Sequence, residues 1–102
     1  MFRIPNHPGE LLREETLPAL EMEYQEFANH IGLPESLVER LMACAAPVTP
    51  DIAFDIALCL EKALGPDAQT WFNMQANHDL ARLRQEAREE LDRITPLRER
   101  AA

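Results

Sequence analysis

The chain has 102 residues, 46% of them hydrophobic, with 18 acidic against 10 basic side chains and a formal charge of −8. That is one domain's length, with enough apolar material for a modest core and a surface too acidic on average for a basic nucleic-acid binder, although a local basic face stays open. Eight acids face three arginines in residues 1–50, four face the sole lysine, Lys62, in 51–78, and 79–102 are balanced.

Residues 1–7 read as an irregular, flexible arm. Pro8 suits the first turn of a helix, and Glu10 follows at its positive end. Leu11, Leu12 and Leu17 continue that helix to about residue 19, with Pro18 placed to shorten or bend it. A second helix over 23–31 turns Phe27, Ala28 and Ile31 inward, and Gly32 ends it in a left-handed turn. Pro34 opens a third, whose Val38, Leu41 and Met42 have the spacing of a buried stripe. Ala43, Cys44, Ala45 and Ala46 extend its apolar character to Pro47.

Thr49, Pro50 and Asp51 give a hydroxyl cap, a first-turn proline and a first-turn acid. Ile52, Ala53, Ile56, Ala57, Leu60 and Leu64 then mark the most amphipathic helix. Gly65-Pro66 stops it. Asp67 caps a fifth helix carrying Trp71, Phe72, Met74 and Gln75, which has no breaker before Ile94. Thr95-Pro96 ends it, and 96–102 should fray. With strand signals nearly missing, the expected fold is all-α, five helices with a long C-terminal one. The domain is 8–78, and 79–95 continue the last helix as an association element. Leu80, Leu83, Ala87, Leu91 and Ile94 lie roughly on one of its faces, more stripe than four short helices can cover, so a homodimer through this helix is expected.

Several chemistries find no support. Glu14 and Glu15 are adjacent rather than facing across a cleft, and Cys44 has no histidine and orienting acid beside it, so an enzyme is not expected. His7, His30 and His78 have no metal-ligand spacing, and no cofactor motif exists. Cys44 and Cys59 read as small buried hydrophobes. Trp71 and Phe72 read as core rather than as base-stacking residues. No apolar run reaches a membrane span and no signal segment is evident, so a cytoplasmic protein is expected.

Two short helices joined at Gly32, with small Ala28 where they would cross, make the helix-turn-helix pattern over residues 23–42. Two blocks sharpen it. The stretch His7-Pro8-Gly9-Glu10-Leu11-Leu12-Arg13-Glu14-Glu15 resembles the opening of the HigA antitoxin family. This is also the addiction-module antidote or virulence-associated protein I group, of XRE type and related to phage repressors. Ala53, Ala57, Leu60, Ala63-Leu64-Gly65 and Trp71-Phe72-Asn73-Met74-Gln75-Ala76-Asn77-His78-Asp79-Leu80 resemble its end, where Trp-Leu-Asn-Leu-Gln-x-x-Tyr-Asp-Leu is common. Thr49-x-Asp51-x-Ala53 also fits, and the likeness covers residues 7–80 without a gap.

The resemblance implies a repressor-like regulator that binds the operator DNA of its own operon as a dimer and neutralises a RelE-like, mRNA-cleaving toxin. Tyr24, Ser36, Glu39 and Arg40 then fall at the DNA-contacting positions, with Tyr24 near the backbone and the others on bases; Arg3 and Arg13 are further candidates for phosphate. A toxin of that kind carries a basic surface, so the acids of the first two helices, Glu10, Glu14, Glu15 and Glu21 with Glu23 and Glu26, are the candidate toxin contacts. The chain departs from the family at its reading face. A Ser-Gln type pair is replaced by Glu23-Tyr24. The recognition helix reads Pro34-Glu35-Ser36-Leu37-Val38-Glu39-Arg40. An Asn-Gly-Lys-Arg turn becomes Ala43-Cys44-Ala45-Ala46. Operator binding gains much of its free energy from phosphate neutralisation, and these changes remove cations. The second function class is therefore a divergent member with weak or lost DNA binding, acting through protein contacts at Leu37 and Ala43–Ala46.

Overall fold

The computed structural model describes residues 6–49 and 56–97, and all regular structure among them is helical. Met1 to Pro5 of the expected arm, Arg3 included, lie outside the described residues. So do Pro50 to Asp55, the expected start of the fourth helix, and residues 98–102 of the expected tail.

The first helical stretch has three parts: α1 (Pro8–Leu11), a wider π turn (Leu12–Thr16) and α2 (Leu17–Leu20). Pro18 accounts for the middle part. It has no N–H, and its ring would crowd the carbonyl four residues back in a regular α-helix. Here the Leu17 amide reaches back five residues to the Leu12 carbonyl, which opens the turn ahead of the proline. The proline thus reshapes the helix rather than ending it. Glu21 closes it in the left-handed region (φ 55°), with the Met22 amide on the Leu17 carbonyl.

Next come α3 (Tyr24–Ile31), α4 (Glu35–Met42), α5 (Ile56–Leu64), α6 (Ala68–Glu86) and α7 (Arg88–Asp92). One core joins the π turn, α2, α3, α4 and α5 to the start of α6: Leu12, Leu17, Phe27, Ala28, Leu37, Val38, Leu41, Ala46, Val48, Ile56, Ala57, Leu60 and Trp71 are all buried. Asp67 caps α6 as its position predicts, accepting from the Thr70 amide at 2.9 Å and the Thr70 hydroxyl at 2.7 Å. Those two bonds hold its carboxyl below the usual range.

His7 belongs to the folded domain rather than to an arm. It is 4% exposed and caps α1, its Nδ1 accepting from the Gly9 amide at 2.9 Å. Its ring meets His78 of α6 edge-on, with centroids 5.2 Å apart. An Nδ1 that accepts carries no proton, so native His7 is neutral. Burial, then the neighbouring His78, push its pKa below the ordinary 6.5, against the pull of Asp79 and Glu10. The unfolded chain therefore takes up a proton more readily. The stability that neutral His7 contributes is complete above about pH 6.5 and is lost as pH falls from there through the lowered native value. His7→Asn keeps a capping acceptor without the titration. The stability difference between wild type and this variant, followed by thermal melting, is expected to shift against wild type below pH 6.5; parallel profiles would reject the assignment.

Two expectations need correction. Cys44 is exposed, with φ 59°. It occupies the left-handed position after α4, with the Ala45 amide on the Arg40 carbonyl at 2.8 Å and its own amide on the Leu41 carbonyl at 3.0 Å. That helix ending favours glycine, the residue the family pattern places there. Cys59 is half-buried. The last helix also does not run unbroken to Ile94. Ala87 (φ −100°, ψ 14°) interrupts it, and α7 ends at Asp92. Ala87 sits in the bridge region, although its own amide keeps the Leu83 carbonyl at 2.8 Å and its carbonyl keeps the Leu91 amide at 2.9 Å. Among the described residues, α7 has its main contacts with α6.

Candidate nucleic-acid interface

The recognition geometry is built by α3 and α4. Gly32, at φ 77°, ends α3, with its own amide at 2.9 Å and that of Leu33 at 3.0 Å from the Ala28 carbonyl. Only a short reversal follows before Pro34, at the cap position of α4, accepts from the Leu37 and Val38 amides. Ala28 is fully buried, which lets the two helices approach closely. Leu37, Val38 and Leu41 hold α4 on the core, so Glu35, Ser36, Glu39 and Arg40 are left exposed. At three- and four-residue spacing, Ser36, Glu39 and Arg40 share one outward face.

Of the four candidate DNA residues, the structure joins two. The Tyr24 hydroxyl donates to Oε2 of Glu39 at 3.2 Å, linking the first turn of α3 to the middle of α4. That hydrogen bond, then partial burial and the charges of Glu39 and Glu35, hold the phenol above its ordinary pKa. Arg13 is committed within the domain. Its Nη1 donates to the Met42 carbonyl at 2.8 Å and its Nε to Glu14 at 2.9 Å, which raises the guanidinium pKa further. It therefore satisfies a carbonyl at the open C-terminus of α4.

The acids expected to meet a toxin are spread out rather than gathered. Glu10 is half-buried beside His7, while Glu14, Glu15 and Glu21 are exposed along the first helical stretch. Eleven residues of helix separate Glu10 from Glu21 by roughly 16 Å. The alternative protein-contact surface loses two members: Leu37 is 7% exposed and Ala46 is 5% exposed, which leaves Ala43, Cys44 and Ala45.

The association stripe is available. Leu80, Leu83 and Leu91 are each 48% exposed and Ile94 is 67% exposed; Ala87, at the break, is half-buried. The radius of gyration is 17.1 Å, where a compact domain of this length has roughly 13 Å. The later part of α6 and α7 therefore project from the domain, with Arg82 bridged to Glu86 at 3.5 Å.

Gln75, named in the sequence only as part of the fifth helix, has a role that the sequence did not assign. It is buried, and its Oε1 accepts from the Val48 amide at 2.8 Å while its Nε2 donates to Asp79 at 3.1 Å. It thereby fixes the segment leaving α4 against α6. The signal was its place one turn after Trp71, on the inward face. No group of three metal-ligating side chains gathers among the described residues, and none of the described helices is long and apolar enough to cross a membrane.

No family model matches the chain. Virulence-associated protein I of Dichelobacter nodosus is 32% identical over 91 residues, spanning 89% of this chain and 80% of that protein. An addiction-module antidote protein of the HigA family from Coxiella burnetii superposes with a TM-score of 0.80 at 28% identity, over 92% of this chain and 99% of that one. The antitoxin HigA of Pseudomonas aeruginosa, solved with the higBA promoter, gives 0.82 at 26% identity, over 91% and 98%.

Proposed function

We propose that this chain, which belongs to the HigA-type antitoxin family that includes virulence-associated protein I, is a cytoplasmic regulator that binds the operator of its own operon as a dimer. In this reading it also neutralises a RelE-like, mRNA-cleaving toxin. The observation that carries the DNA part is α4 itself: Leu37, Val38 and Leu41 are buried while Ser36, Glu39 and Arg40 stand exposed after a glycine turn. That is how a recognition helix is presented to the major groove. The dimer is supported by the exposed leucines of α6 and α7, and the toxin contact by the acids Glu10, Glu14, Glu15 and Glu21.

A second reading is favoured by charge. Glu21, Glu23, Glu26, Glu35 and Glu39 are all exposed on or beside α3 and α4, where phosphate would lie. In that reading the fold persists with DNA binding weakened, and contacts pass through protein.

One titration separates the two. Labelled duplex from upstream of the chain's own gene is titrated at two salt concentrations, with light scattering on the same samples. Operator binding gives selective, salt-sensitive complexes with two chains per site. Arg40→Ala is expected to cost about 1–3 kcal/mol of selective binding. No binding by the wild-type chain at micromolar concentration and low salt would overturn the first reading and leave the second.

A further inference from the structure

The bond between Tyr24 and Glu39 crosses from one helix of the motif to the other, and its acceptor lies on the outward face of α4. A glutamate on a recognition helix is an unusual reader. It repels phosphate, and its flexible chain must be ordered before it can contact a base. Here one carboxylate oxygen, Oε2, already receives the Tyr24 hydroxyl at 3.2 Å. Residue 24 is anchored at the start of α3 and half-buried, so it restrains Glu39 from a fixed point. The raised phenol pKa keeps the donor protonated throughout the neutral range. The second oxygen remains an acceptor.

Major-groove chemistry narrows what that oxygen takes. Only the amino groups of cytosine and adenine donate there. Adenine sets an N7 acceptor beside its amino group, which a carboxylate meets unfavourably, whereas cytosine offers the donor alone. We propose that Tyr24 is a positioning residue for base reading. Its hydroxyl fixes the Glu39 carboxylate so that the free oxygen accepts from the amino group of a cytosine in the operator. Arg40, the next residue and also exposed, supplies the cation that offsets phosphate repulsion of that carboxylate. The inference rests on the operator-binding reading.

The test uses the full chain and the same upstream duplex, with each base pair exchanged in turn and affinities read by fluorescence anisotropy. Wild type is expected to discriminate about tenfold against loss of one C·G pair. Tyr24→Phe relaxes that pair alone, with an unchanged salt slope and melting temperature. Glu39→Gln moves the preference at the same pair towards adenine, which glutamine reads in two bonds. A melting temperature held constant while one base preference relaxes is not produced by a merely structural role. Selective wild-type binding with an unaltered or uniformly weakened pattern in Tyr24→Phe overturns the inference and leaves operator binding standing. So does a Glu39→Gln change at a different pair. Equal wild-type binding to every duplex overturns both.

Discussion

Gly9→Ala is expected to destabilise the domain by about 3 kcal/mol or more, the upper end of what forced overpacking produces. Position 9 is not a turn; glycine is required there by proximity. A Cβ added at this point would overlap the Leu41 carbonyl oxygen and come within 2.7 Å of its carbonyl carbon. Those atoms are backbone in the last turns of α4, so no rotamer change removes the clash. Relief requires α1 to move off α4. The same movement disturbs the bond that crosses to α4, from Arg13 to the Met42 carbonyl, and the added Cβ would also stand 3.2 Å from His7 Nδ1. A domain of this size is stabilised by roughly 5–15 kcal/mol in all, so the loss is a large share. Urea denaturation measures it as a lowered midpoint at constant slope. A change below about 1 kcal/mol would show that α1 slides on α4 without cost. Because α4 is the proposed recognition helix, the variant is also expected to lose operator affinity in proportion to its unfolded fraction.

The helix-turn-helix was legible because three constraints coincide in a short stretch. Phe27, Ala28, Val38 and Leu41 carry the helical spacing, Ala28 permits close crossing, and Gly32 takes the left-handed turn. Each is local, so the sequence displays it directly. Cys44 was not legible in that way. Its flanks are apolar, yet a helix ending decides its conformation, and the Ala45-to-Arg40 bond that defines the ending is a backbone feature. Ala87 shows a different limit: neither glycine nor proline marks the break, and period alone cannot reveal where a helix without a packing partner opens. At the candidate site, Ser36, Glu39 and Arg40 came from the family resemblance, and the exposed face of α4 agrees with that placement. The pairing of Tyr24 with Glu39 spans fifteen positions and depends on how two helices cross, which no spacing encodes. The bond from Arg13 to the Met42 carbonyl was hidden for a related reason. An arginine near the start of the chain looks free for phosphate until the fold brings the end of α4 beside it.

Trp71→Ala is expected to cost about 3–5 kcal/mol, the range for deleting a large buried aromatic. Trp71 is 2% exposed and is the largest fully buried side chain among the described residues. It does two things that alanine cannot. Its ring fills the core shared by α5 and α6, and its Nε1 donates to the Pro66 carbonyl at 3.1 Å, closing the turn between those helices. The nearby Ala68 amide donates to Glu61 of α5 at 2.9 Å, so this turn is tied at two points. Trp71→Phe separates the contributions. It retains an aromatic ring and loses the donor, so its cost is expected to be the smaller, about 1–3 kcal/mol. The effect should reach the recognition helix by a traceable route. One turn beyond Trp71, Gln75 holds the Val48 amide, and residues 43–48 lead directly back into α4. Loosening α6 therefore frees the end of α4 without removing any group proposed to touch DNA. Operator affinity should fall in Trp71→Ala while the salt slope and the base preferences of the folded fraction stay as in wild type. A changed salt slope would mean that α6 itself meets phosphate, and would move the interface away from α3 and α4.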